Sequence, residues 1–132
     1  MTAFETTIRN IQKVLDTINS GKYTAKSQIA SAVGVSPTLI NTIIKRIEPE
    51  IGIVDNVYTA NVLNAEETGF YKKFSKLIPI VLANPSILFW QNKYISLIFG
   101  LSANEVQTLR AYVDDKIRIE EMLQRRNVDE KV

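Results

Sequence analysis

At 132 residues, with 45% apolar and 23% charged side chains, the chain has the length and composition of one compact domain or two very small ones, which excludes most large enzyme folds. Its 16 Lys and Arg against 14 Asp and Glu leave a net charge of +2, so any surface basic enough for nucleic acid has to be local. His and Cys are both absent, which excludes disulfides, thiolate nucleophiles, zinc centres and imidazole catalysis. Met1-Thr2-Ala3-Phe4-Glu5 lacks the basic-then-apolar pattern of a secretion signal, and no run approaches the ~18 apolar residues of a membrane span. The expectation is a cytoplasmic protein without membrane contact.

From Ala3 to Ser20, Phe4, Ile8, Ile11, Leu15 and Ile18 recur at steps of four and three and predict a first helix, stopped at Gly21. Thr24 is the expected N-cap of a second helix over Ala25 to Val33. Gly34 then makes the bend, and Ser36-Pro37 starts a third helix that runs to about Ile47. After Glu48-Pro49, the stretches Ile51 to Val54 and Val57 to Ala60 flank Asp55-Asn56 and predict a small β-hairpin. Asn64 with Glu66 and Glu67 is the expected start of a helix carrying Phe70, Phe74, Leu77, Ile78 and Val81, which Pro79 should kink or split. Asn84-Pro85 reopens a helix so apolar between Ile87 and Phe99 that it is expected to be largely buried. Ser102 and Glu105 form a capping box for a last helix, to about Arg126, with a frayed tail after it.

The sequence also matches itself at an offset of 66 residues. Lys26 to Ile47 pairs with Asn92 to Val113, placing Ile29 on Ile95, Gly34 on Gly100, Ser36 on Ser102 and Thr42 on Thr108. The apolar positions coincide too, Val35 with Leu101, Ile40 with Val106 and Ile43 with Leu109. Upstream, Phe4, Ile8, Ile11 and Leu15 fall on Phe70, Phe74, Leu77 and Val81. Either a duplicated three-helix unit or the shared pattern of any two amphipathic helices joined through Gly and a Ser cap accounts for this.

The stretch Gln28 to Lys45, QIASAVGVSPTLINTIIK, carries a small Ala30, a turn Gly34 and the aliphatics Ile29, Val35, Ile40 and Ile43. It resembles the helix-turn-helix of bacterial and phage DNA-binding regulators, in which such residues set the angle between two helices. With a hairpin straight after it, the region Ala3 to Ala60 resembles the winged form of that group. The resemblance implies a second helix lying in the DNA major groove, with Ser36, Thr38, Asn41 and Thr42 at base edges. Lys22, Lys26, Lys45 and Arg46 would then contact phosphate, with Glu48 and Glu50 blunting the cluster. The wing departs from the family pattern, because Asp55-Asn56 has no cation at its tip and leaves Tyr58 as its one contact group.

In the second half, the corresponding helix would present Ala103, Asn104, Glu105, Gln107 and Thr108, and Glu105 would repel phosphate. An oligomerisation role is expected there. Its candidate residues are Trp90, Phe99, Val106, Leu109, Val113 and Ile117, on an apolar segment and a last helix of ~37 Å that a small domain cannot cover alone. The acidic pairs Glu66-Glu67, Asp114-Asp115 and Glu120-Glu121 are helix neighbours that point apart, and no Gly-rich phosphate loop is present. No catalytic residue, metal or cofactor is expected.

The sequence thus predicts a mainly α fold: a winged helix-turn-helix with a small hairpin over residues 1–63 and a helical oligomerisation unit over 64–132. The expected function is sequence-specific binding of double-stranded DNA as a dimer, in transcriptional regulation. A phage or plasmid DNA-binding assembly protein, such as a small terminase subunit or centromere binder, has the same layout, with a larger homo-oligomer. A protein-interaction module without DNA contact is the third reading.

Overall fold

The computed structural model describes residues 2–130, with side chains described to Arg125. It is mainly helical, with one two-stranded antiparallel sheet after the first three helices. The helices are α1 (Ala3–Ser20), α2 (Lys26–Val33), α3 (Pro37–Arg46), α4 (Gly69–Ala83), α5 (Asn92–Phe99) and α6 (Ala103–Glu130), and the strands are β1 (Ile51–Val54) and β2 (Val57–Ala60). Among the described residues no helix is long and apolar enough to cross a membrane. The described residues divide into two compact units, Glu5–Lys73 and the residues on either side of it, 2–4 and 74–130.

In the Glu5–Lys73 unit, the stripe of α1 buries Ile11, Val14, Leu15 and Ile18 against Ile29 and Ala30 of α2 and Ile40, Ile43 and Ile44 of α3. Ile47, just past α3, is fully buried in the same cluster. The bend between α2 and α3 is local chemistry. Gly34 sits at φ 85°, a left-handed conformation that costs a residue with a Cβ ~1–2 kcal/mol. Its N–H and that of Val35 both donate to the Ala30 carbonyl, at 2.8 and 3.0 Å. Ser36 Oγ then accepts from the Leu39 N–H at 3.1 Å, and Pro37 fills the first helical position. The cap of α2 differs from expectation: Ala25 holds the N-cap position, while the Thr24 N–H and hydroxyl both donate to Gln28 Oε1.

The hairpin pairs Ile51 with Ala60 and Val54 with Val57, and both turn residues, Asp55 (φ 53°) and Asn56 (φ 65°), are left-handed. That tight turn matches the strand twist and tolerates Asp and Asn better than other non-glycine residues. The Tyr58 N–H donates to the Tyr23 carbonyl at 2.8 Å, which ties β2 to the segment before α2.

Residues 64–73, assigned by sequence to the second half, belong with the first unit. Polar side chains of α1 hold the connection. Gln12 donates to the Leu63 carbonyl at 2.9 Å and accepts from the Ala65 N–H at 2.7 Å, while Asn19 donates to the Val62 carbonyl. Asn64 does not cap a helix, and its amide donates instead to Glu67. The start of α4 lies at Thr68, whose hydroxyl accepts from the Tyr71 N–H, and at Gly69, whose N–H donates to Glu50 Oε1 at 2.8 Å. Glu50 is buried, its Oε2 has no hydrogen-bond partner, and the positive end of α4 is what offsets the burial of its charge.

In the second unit Pro79 does not split α4, which continues to Ala83. The core holds Phe74, Val81, Ile87, Ile95, Leu101, Val106, Leu109 and Val113. Tyr112 meets the rings of Phe4 and Phe74 edge-on at 5.3 and 5.8 Å. The Ala3 N–H donates to Asp115 Oδ2 at 2.7 Å, and that bond, with Arg118 beside it, holds the Asp115 carboxyl below its usual range. The expected buried helix over 85–99 is replaced by a single 3-10 segment, Pro85–Phe89, and the short α5. Arg110 occupies the break: its guanidinium donates to the carbonyls of Leu88 and Trp90, which a continuous helix would use internally, and to Asn92 Oδ1. Only Ile87 and Ile95 of this segment are buried, whereas Phe89 is 90% and Leu97 81% exposed. With no Gly or Pro after Gly100, α6 continues to Glu130, beyond the expected end at Arg126. Lys131 and Val132 lie outside the described residues.

The turn between α5 and α6 repeats that between α2 and α3. Gly100 lies at φ 65°, the Leu101 N–H donates to the Ser96 carbonyl at 3.0 Å, and the Ser102 hydroxyl accepts from the Glu105 N–H at 3.2 Å. Even the hydroxyl-to-carbonyl bond of Thr42 to Thr38 has its counterpart in Thr108 to Asn104. The capping box is complete, since Glu105 Oε1 accepts the Ser102 N–H at 2.9 Å.

Glu50→Ala should lower unfolding free energy by ~1–3 kcal/mol in urea titrations, because it leaves the Gly69 N–H unpaired, whereas Glu50→Gln should keep most of the stability.

Candidate nucleic-acid interface

The core residues of α3 occupy one side of it, which leaves Thr38, Asn41, Thr42 and Lys45 exposed on the other. Of the remaining sequence-derived candidates, Lys22, Lys26 and Ser36 are exposed and Arg46 is half-buried. An open groove of about 620 Å³ runs between α3 and the hairpin, and Lys26, Asn41 and Lys45 line it together with Tyr58, Glu48 and Gly52. Lys26 opens α2 and Lys45 lies in the last turn of α3, so the bend at Gly34 is what lets both cations line one groove with Asn41. Lys22, Ser36, Thr38 and Thr42 do not line the groove.

The polar groups are not equally available. Ser36 Oγ is occupied as a cap, and the Thr42 hydroxyl donates to the Thr38 carbonyl at 3.2 Å. Both retain lone pairs, and Thr42 keeps its methyl. The Asn41 amide is exposed on the groove wall, offering a donor and an acceptor side by side, the pattern that matches an adenine edge. Glu48 leaves one more positive than negative side chain in the groove, consistent with the small net charge of the chain.

Arg46 does something the sequence does not disclose. Its guanidinium lies 5.4 Å from the centroid of the Phe70 ring, a cation–π contact inside the Glu5–Lys73 unit that draws it away from a purely solvated role. The groove itself was also hidden. Gly52, an isolated glycine inside a strand, is its one sequence signal, and the structure leaves room there, since an added Cβ would meet only Thr59 Oγ1 at 3.9 Å.

No family model, curated protein or solved structure matches the chain. Its chemistry therefore has to be read from the surface it presents. Among the described residues, no group of three or more Asp or Glu side chains is placed to hold a metal ion.

The six oligomerisation candidates separate in the structure. Val106, Leu109 and Val113 are core residues of their own unit and offer no surface to another chain, which corrects their expected role. Phe99 and Ile117 are half-buried, and Trp90 remains 41% exposed. On the first turns of α6, Asn104 and Gln107 are exposed, while the Glu105 carboxylate is turned back onto the Ser102 N–H.

Arg46→Ala should reduce stability by ~1 kcal/mol, seen as a lower urea midpoint, because it removes the cation over Phe70. Arg46→Lys should recover only part of that loss.

Proposed function

We propose that the chain binds double-stranded DNA in a sequence-specific way, as a dimer, through a winged helix-turn-helix in which α3 enters the major groove, and that it serves transcriptional regulation. The observation that carries this reading is the exposed side of α3. Thr38, Asn41, Thr42 and Lys45 share one helix face, uncharged at its start and cationic at its end, with Lys26 beside Asn41 and Lys45 in one groove. Uncharged hydrogen-bonding groups suit base edges, and flanking lysines suit phosphate.

Two further features support it. The αL turn at Gly34 and the Ser36 cap fix where α3 begins, and its buried isoleucines seat it in the core with its other side outward, as a reading helix requires. The hairpin follows directly and carries Tyr58 on the groove wall, a group able to reach phosphate or sugar, while its Asp55-Asn56 tip offers no cation. The hairpin's main role is accordingly to brace α3. With few cations on one chain, a two-fold pair that reads two half-sites supplies the affinity that one reader lacks.

Duplexes selected from a random pool and then measured at two salt concentrations test this reading. Lys26→Glu with Lys45→Glu should weaken binding to selected and random DNA alike and flatten the salt dependence. Asn41→Ala should cost ~1–3 kcal/mol on the selected sequence and little on random DNA. If no sequence is enriched and neither variant changes affinity, α3 does not read DNA.

A further inference from the structure

The two helix pairs, α2–α3 and α5–α6, share a left-handed glycine turn and a serine cap, and their matching positions differ in what they show to the outside. On α2 the solvent side carries Gln28, Ser31 and Ala32, all exposed. The matching positions on α5 are Tyr94, Leu97 and Ile98, which are 50%, 81% and 58% exposed. Leu97 and Ile98 stand three and four residues after Tyr94, so the three share one face. The cations also change: where the first pair has Lys26 and Lys45, the second has Asn92 and Ala111. The first pair thus shows small or polar residues on α2 and lysines at these two places, and the second shows apolar side chains on α5 and no cation at the two.

We propose that the α5 face is a self-association surface, covered by the α5 face of a second copy of this chain about a two-fold axis. Its area fits that occupant. Tyr94, Leu97 and Ile98, with the exposed Phe89 and Trp90 just ahead of them, leave roughly 600 Å² of apolar side chain uncovered, at the top of what a monomer usually exposes and close to the ~800 Å² that each partner contributes to a stable interface. Its charge fits as well. Lys93 is the one charged residue of α5, and its ammonium is drawn over the ring of its own neighbour Tyr94, 5.1 Å from the centroid. Apart from that one cation, already partnered by a ring, each face is uncharged, so two identical faces can meet with little repulsion, as a two-fold contact requires. Arg110 adds rigidity by fixing the carbonyls of Leu88 and Trp90, so less disorder is lost on docking.

The surface supplies the pairing that the DNA reading uses, but it stands on α5 alone, so the two can fail separately. The test is light scattering on the full chain without DNA, at tens of micromolar, for the wild type and for Tyr94→Gln/Leu97→Ser/Ile98→Ala, which installs the residues that α2 tolerates at the same places. The wild type should have about twice the 14.9 kDa chain mass, and the triple variant should run at the chain mass with unchanged helical circular dichroism. If the triple variant does not fold, Leu97→Ser alone should raise the dissociation constant at least tenfold. A monomeric or larger-than-dimeric wild type, or variants that dimerise as tightly as the wild type, would overturn the proposal. Asn41→Ala should leave the dimer intact whether or not it affects DNA, which separates this result from that of the DNA reading.

Discussion

Everything that the exposed face of α3 can do depends on a turn of three residues. Gly34 accepts a left-handed backbone, Val35 closes it with an N–H to the Ala30 carbonyl, and Ser36 caps the helix that follows. The turn sets the direction of α3, and the isoleucines on its inner side lock that direction against α1 and α2. Because Ala30 is small, the two helices can approach closely, and because Ile29, Ile40 and Ile43 are branched and fully packed, they have few alternative arrangements. Removing the turn would leave the same residues on a helix with no fixed orientation.

Local chemistry of this kind is readable in a sequence. The Gly and Asp-Asn positions take a left-handed backbone that few other residues accept, Ser-Pro supplies a cap oxygen and a fixed φ, and each marks its turn where the structure has it. The offset of 66 residues is legible for the same reason, since it repeats the turn chemistry and the apolar spacing together. What stays hidden is long-range. Gln12 and Asn19 look like ordinary polar residues of an amphipathic helix, yet they fasten a connection some fifty residues further on and move the unit boundary past Lys73. Arg110 occupies the break in the expected helix over 85–99 from outside it, and Phe70 takes up Arg46. No window along the chain contains both partners of such a contact.

The apolar run from Ile87 to Phe99 shows a second limit. Hydrophobicity says that a segment avoids water, but not whether its own chain supplies the cover. Here one side of α5, at Ile95, is buried, and the other, at Leu97, faces out. The candidate α3 residues were legible as a set because the core side of α3 left them no other place. Their grouping into a groove with Tyr58 was not, because that depends on how the hairpin packs. The two helix pairs then suggest a division of labour, one surface polar and basic, the other largely apolar.

The most direct test of the central claim is heteronuclear NMR on the full chain during titration with a selected duplex. The account predicts that the Asn41 side-chain amide and the backbone amides of residues 36–46 shift most, with smaller changes around Lys26 and Tyr58 and little at Leu97. A titration in which α3 is unmoved, or in which the largest shifts fall on α5 instead, would contradict it.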